Sequence, residues 1–146
     1  MDSTIVEWST EIGAATPPER RVVLGLYPGS GAFSAGPLRT GTFTLTGAEI
    51  QYATCGVCVT LREFDAQGGT TARYMATAGT VTLSSISGRL TGTITNATFQ
   101  HVNIDGSTFM STPHPDGCAT AIDNVAFDVM INGPGGGGGA GGAAGG

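Results

Sequence analysis

The chain of 146 residues contains no lysine; all six of its basic residues are arginines. That absence excludes Schiff-base catalysis and lysine-to-asparagine cross-links, both of which need a lysine amine. Charged residues of every kind make up 12% of the chain, against about 25% in average proteins. The formal net charge is −5. Nucleic-acid binding requires a basic stripe that displaces phosphate counterions, and none is present. A polybasic membrane contact is excluded for the same reason. No apolar run approaches the ~20 residues of a membrane helix. The opening Met1-Asp2-Ser3-Thr4 has neither the basic region nor the apolar stretch of a signal peptide. Two readings follow: an intracellular chain, or a mature exported domain with an added methionine. The composition favours the second.

Thr, Ser, Gly and Ala fill the places usually taken by Lys and Glu, and 25 residues are glycine. This mix suits short strands joined by tight turns and makes poor amphipathic helices. Ile5, Val6 and Trp8 open a first edge strand, which Pro17-Pro18 cannot continue. Val22, Leu24 and Leu26 alternate on one face of a second strand. Phe43 and Leu45 mark a third, and Glu49 to Tyr52 reads as a bulged or separate extension after Gly47. Val57, Val59 and Leu61 share a face. With the turn Asp65-Ala66-Gln67-Gly68-Gly69, residues 57–77 form a hairpin. Val81 and Leu83 lie in the next strand, Ser87-Gly88 turns into Arg89 to Ile94, and residues 97–104 continue extended. Val125, Phe127, Val129 and Ile131 alternate in the last strand.

About eight strands with no helix predict an all-β, antiparallel β-sandwich, jelly-roll or Ig-like. The domain is expected over residues 1–132. Residues 133–146, Gly and Ala after Pro134, read as a flexible tail or linker toward another domain.

Four strings resemble a poorly characterised group of secreted and lipid-anchored bacterial β-domains. They are Tyr52-Ala53-Thr54-Cys55 with Cys58-Val59, Ala76 to Leu83, Leu90 to Asn96, and Phe109 to Pro113 followed by Cys118. The similarity spans roughly residues 41–128. It implies an extracytoplasmic, cell-surface or secreted location and no particular activity. The chain departs from the group in lacking a signal peptide and a lipid-attachment cysteine.

Three cysteines and two histidines limit the available chemistry. Cys118 precedes the last strand, and Cys58 faces away from Val57 and Val59. A disulfide from Cys118 to Cys58, or to Cys55, would staple the centre of the chain to its end. A bridge within the Cys55/Cys58 pair would leave Cys118 free. Cys55, Cys58, His114 and Cys118 also compose, on paper, a Cys₃His zinc set. Asp105 or Asp116 with carbonyls could hold calcium. The C-x-x-C pair precedes a strand and has only Arg62 nearby, so the thiol lacks the setting of a redox site. His101, in an extended segment beside Val102, reads as a surface or half-buried imidazole. A hydrolase would need His101 or His114 beside a carboxylate or thiol in one cleft.

These features compose a non-catalytic structural or binding module. Its partner would be a protein or carbohydrate, with no cofactor other than the zinc or calcium alternatives. Trp8, Tyr27, Phe33 and Tyr74 are the residues from which a ligand patch could be built; Phe43 and Phe127 read as core. The rival is a small secreted hydrolase.

Overall fold

A computed structural model describes residues 5–12 and 19–130. Pro17-Pro18, Ile131 and the Gly/Ala-rich segment 133–146 lie outside them. The described residues contain eight strands: β1 Val6–Ile12, β2 Glu19–Leu26, β3 Gly41–Thr44, β4 Val57–Phe64, β5 Thr70–Ser85, β6 Arg89–Ile104, β7 Ser111–Pro113 and β8 Ala119–Met130. Every pairing is antiparallel. The all-β antiparallel expectation therefore holds. Among the described residues the only helical pieces are two short 3₁₀ turns, Gly31–Phe33 and Gly47–Ile50.

Hydrogen bonds join all eight strands into one sheet in the order β1-β2-β4-β5-β6-β7, with β3 on β5 and β8 on β6. They do not draw two separate sheets. The long hairpin β5–β6 is the frame. Its open end is flanked by β4 and β7, and its turn end by β3 and β8. Register breaks between Ala76 and Ala78 and between Ala78 and Thr80 fall where the flanking strand changes from β4 to β3. Such irregularities add bend and twist to a strand. The strand predicted around Val81 and Leu83 is thus the second half of β5.

The sheet curls until its margins meet. A flat sheet would hold β1 and β8 about 24 Å apart, five strand spacings of roughly 4.8 Å. Instead the Trp8 and Phe127 rings stand 5.0 Å apart, tilted by 40°. The concave face gathers the alternating residues Val22, Leu24, Leu26, Val57, Val59 and Leu61, all fully buried. Val81, Leu83, Ile94 and Phe99 join them from the long hairpin.

The convex face carries a second, smaller cluster of Cys55, Cys58, Met75 and Val102, flanked by Tyr27, Tyr52 and Ile104. Cys58 does face away from Val57 and Val59, as its alternation predicts. The segment Glu49–Tyr52, expected as a strand, leaves the extended path. Glu49 and Ile50 belong to the second 3₁₀ turn, and the chain then crosses this convex face.

Trp8 is 4% exposed and its only ring partner among the described residues is Phe127. Trp8→Ala is expected to destabilise the protein by about 3–5 kcal/mol, the usual range for truncating a buried large aromatic. Urea unfolding checks this. A cost below about 1 kcal/mol would mean that margin contact does not hold the curl.

Candidate functional site

The loops over the convex face are organised by a buried carboxylate. Glu49 is 6% exposed. Its oxygens accept hydrogen bonds from the backbone N–H of Ala32 at 2.9 Å, Gly56 at 3.1 Å and Val57 at 2.5 Å. A charge removed from water needs such partners, and backbone donors to a carboxylate are among the stronger hydrogen bonds. The cradle has no room for side chains on its rim. A Cβ on Gly31 would lie 1.9 Å from a Glu49 oxygen, and one on Gly56 would lie 2.1 Å from the Ser30 carbonyl oxygen. Gly31 also sits at φ +47, where glycine is favoured. The Tyr27 N–H donates to the Gly56 carbonyl at 2.8 Å, closing the arrangement.

A second clamp joins this loop to β7. The Gln51 side-chain amide donates to the Ser111 carbonyl at 3.0 Å, and its oxygen accepts from the Ser111 hydroxyl at 2.7 Å. The Tyr52 N–H donates to the same hydroxyl at 3.1 Å. The preceding turn is capped by Asp105, whose carboxylate accepts the N–H groups of Ser107 and Thr108, each at 2.8 Å. Those bonds hold the Asp105 carboxyl below its ordinary range. Phe109 follows at φ +61, a left-handed conformation uncommon for a bulky residue. The residue is 55% exposed, and its ring meets Tyr52 edge-on at 6.5 Å.

Between these parts lies a cavity of about 240 Å³, lined by Tyr27, Ser30, Tyr52, Cys55, Cys58 and Phe109. Burial first, and then the neighbouring Tyr52 and Glu7, push the Tyr27 phenol up to about 12. Tyr27 and Tyr52 are also linked by a side-chain hydrogen bond.

Comparison with known proteins finds no match among family models, curated proteins or solved structures. The site is therefore read from its own geometry.

The disulfide in the structure joins Cys55 to Cys58, with Cα atoms 5.3 Å apart, and Cys118 is free and exposed. The expected staple from Cys118 to Cys58 or Cys55 is not formed. Cys118 lies opposite His101 of β6, two strands beyond β4 and one loop further out. Three spacings of roughly 4.8 Å give about 14 Å, twice the Cα separation a disulfide spans. The same distance dismantles the proposed zinc set: Cys55 and Cys58 are bonded to each other, far from His114 and Cys118. Asp105 is committed to its own turn and does not join Asp116.

What the structure brings together instead is His101, His114 and Asp116. Residues 114–118 bulge out between β7 and β8, opposite His101. The His101 N–H donates to the Cys118 carbonyl, and the His114 N–H donates to the His101 carbonyl, both at 2.9 Å. Asp116 Oδ2 stands 2.6 Å from His101 Nδ1, and Asp116 Oδ1 stands 3.2 Å from His114 Nδ1. The two imidazoles stack with centroids 4.0 Å apart, and Tyr74 stacks on His101 at 5.1 Å. The Cys118 N–H and then His101 hold the Asp116 carboxyl down to about 2.

A hydrolase would need this kind of convergence, but its thiol is set for the opposite chemistry. The hydrogen bond to Asp116 and the charge of that carboxylate raise the Cys118 pKa, which favours the thiol over the nucleophilic thiolate. Among the described residues no hydrogen bond links Cys118 Sγ to either imidazole.

Of the four aromatic residues expected in a ligand patch, only Tyr27 lines the cavity. Trp8 and Phe33 are core residues, and Tyr74 is covered by the stacked histidines. Burial of alternating apolar residues claimed Trp8. Phe33 packs edge-on against Phe43. Sequence reasoning missed Glu49, Tyr52 and Phe109. The signal for Phe109 was present in its position after the Asp105-Gly106-Ser107 turn.

The raised Tyr27 pKa has a defined consequence. Below pH 10 its phenol is neutral whether the chain is folded or unfolded. Between 10 and about 12 the unfolded phenol ionises while the folded one keeps its proton, so stability falls as pH rises through this window. Urea midpoints across pH 10–12 should decline less steeply in Tyr27→Phe than in wild type. Parallel declines would show that the phenol does not titrate differently in the two states.

Proposed function

We propose that the domain is a non-catalytic, extracytoplasmic binding module, and that it takes its ligand in the cavity between Tyr27, Tyr52 and Phe109. The cavity itself carries this reading. It is concave and lined mainly by aromatic and sulfur atoms, with a few hydroxyl groups at fixed positions, which is the usual make-up of a small-ligand site. Its walls are held in place by the Glu49 cradle and the Gln51–Ser111 clamp, so little ordering is needed when a ligand enters. Phe109 remains exposed at its mouth, where an exposed aromatic ring favours contact with another molecule.

The ligand class we favour is carbohydrate. Aromatic faces receive the C–H side of a sugar ring, and the hydroxyls of Tyr27, Tyr52 and Ser30 offer hydrogen bonds at its edge. An apolar side chain of a partner protein is the other ligand that this chemistry accommodates. The extracytoplasmic placement is supported by the charge-poor, Thr- and Gly-rich composition and by a disulfide, a bond that persists in oxidising compartments. It is also what the resemblance to secreted bacterial β-domains implies. The raised thiol pKa of Cys118 argues against the hydrolase alternative.

Saturation-transfer NMR against a panel of mono- and disaccharides tests the proposal. Signals from at least one sugar should appear with wild-type protein and be lost in Phe109→Asn. Asn tolerates the left-handed backbone there, so the melting temperature should change little. Binding that survives both Phe109→Asn and Tyr52→Ala would place the ligand elsewhere. Absence of any saccharide signal, with a protein partner captured through Phe109, would replace sugar by a protein ligand.

A further inference from the structure

The histidine pair at the β7–β8 bulge lies apart from the cavity and is not needed for the function just described. Three donor atoms, one each from His101, His114 and Asp116, lie within 4.8 Å of one another. In a tetrahedral zinc site with bonds near 2.0–2.2 Å, neighbouring donors stand about 3.3 Å apart. Two of the distances here, 2.6 and 3.2 Å, are already at or inside that spacing.

The three side chains already converge through Asp116. His114 Nδ1 stands 3.2 Å from both the backbone nitrogen and Oδ1 of Asp116. Asp116 Oδ1 also accepts the Cys118 N–H at 3.0 Å, and Asp116 Oδ2 stands 2.6 Å from His101 Nδ1. A cation bound here would displace the proton between His101 and Asp116. The side chains are accessible: His101 is 14% exposed, His114 34% and Asp116 36%. An open polar groove along Thr70–Arg73 and Val102–Ile104 leads to the two imidazoles.

We propose that His101, His114 and Asp116 bind one Zn²⁺ ion, with the remaining coordination positions left to water. Two imidazoles and one carboxylate form a borderline donor set that suits zinc. Calcium requires six to eight oxygens, and this cluster offers one carboxylate. The ion would tie the 114–118 bulge to the edge of β6, joining residues that backbone hydrogen bonds already hold in register. It differs from the set expected from sequence, since it uses no cysteine and includes His101.

The test uses untagged full-length protein and zinc chloride, followed by isothermal titration and by ¹H–¹⁵N correlation of the imidazole nitrogens. The expected result is one zinc per chain, with the ring signals of His101 and His114 shifting together. His114→Ala and Asp116→Asn should each weaken binding at least about tenfold. In the second variant the Asn side-chain oxygen can still accept the Cys118 N–H, so the loop should keep its fold. Zinc at about 100 times its Kd should raise the melting temperature by several degrees in wild type and not in the variants. Calcium at the same concentration should have no effect. Zinc binding that is unchanged in both variants would overturn the proposal, as would the absence of binding to protein whose circular dichroism shows it folded.

Discussion

The Glu49 carboxylate is the constraint on which the convex face depends. Two segments distant in the chain meet at it: the first 3₁₀ turn through Ala32, and the junction of the disulfide loop with β4 through Gly56 and Val57. The two share no ladder, so the sheet alone does not fix their relative positions. Each backbone donor left without its partner in this buried place would cost about 1–3 kcal/mol. The same carboxylate also explains why glycine stands at positions 31 and 56. From this anchor the loop crosses the sheet to Ser111, and the cavity walls follow.

The scaffold beneath is a sheet that needs no second sheet to make a core. The β5–β6 hairpin bends at the bulges near Ala78, and the two margins of the sheet come together at Trp8 and Phe127. Curling buries most of one face and leaves the other partly bare. The bare face is where a loop, a disulfide and aromatic rings can be arranged without disturbing the core. The cavity and the histidine cluster both lie outside the main core cluster, at opposite ends of the β6–β7 pairing.

The strands were legible in the sequence because burial imposes a period of two, and Val22–Leu26, Val57–Leu61 and Val125–Val129 all show it. The two halves of β5 were not legible as one strand, because Gly79 interrupts the pattern that the bulges use. The candidate site was less legible than the fold. Glu49 sits in a stretch that alternates plausibly as a strand, and only the folded chain shows its carboxylate turned inward. The cysteine pairing was misread because alternation gives the face of the sheet but not the number of strands between two residues. His101 looked unremarkable because its partners, His114 and Asp116, are brought opposite it by the register of β7 and β8. Such long-range register is not written in local sequence.

Amide hydrogen exchange at Ala32, Gly56 and Val57 tests the central claim most directly, that a buried carboxylate preorganises the cavity. If Glu49 holds these donors, their exchange in wild-type protein should be as slow as that of core amides such as Val59, and Glu49→Gln should accelerate all three together. Exchange at the rate of unprotected amides in the wild-type protein would contradict it and leave the cavity without its organising bond.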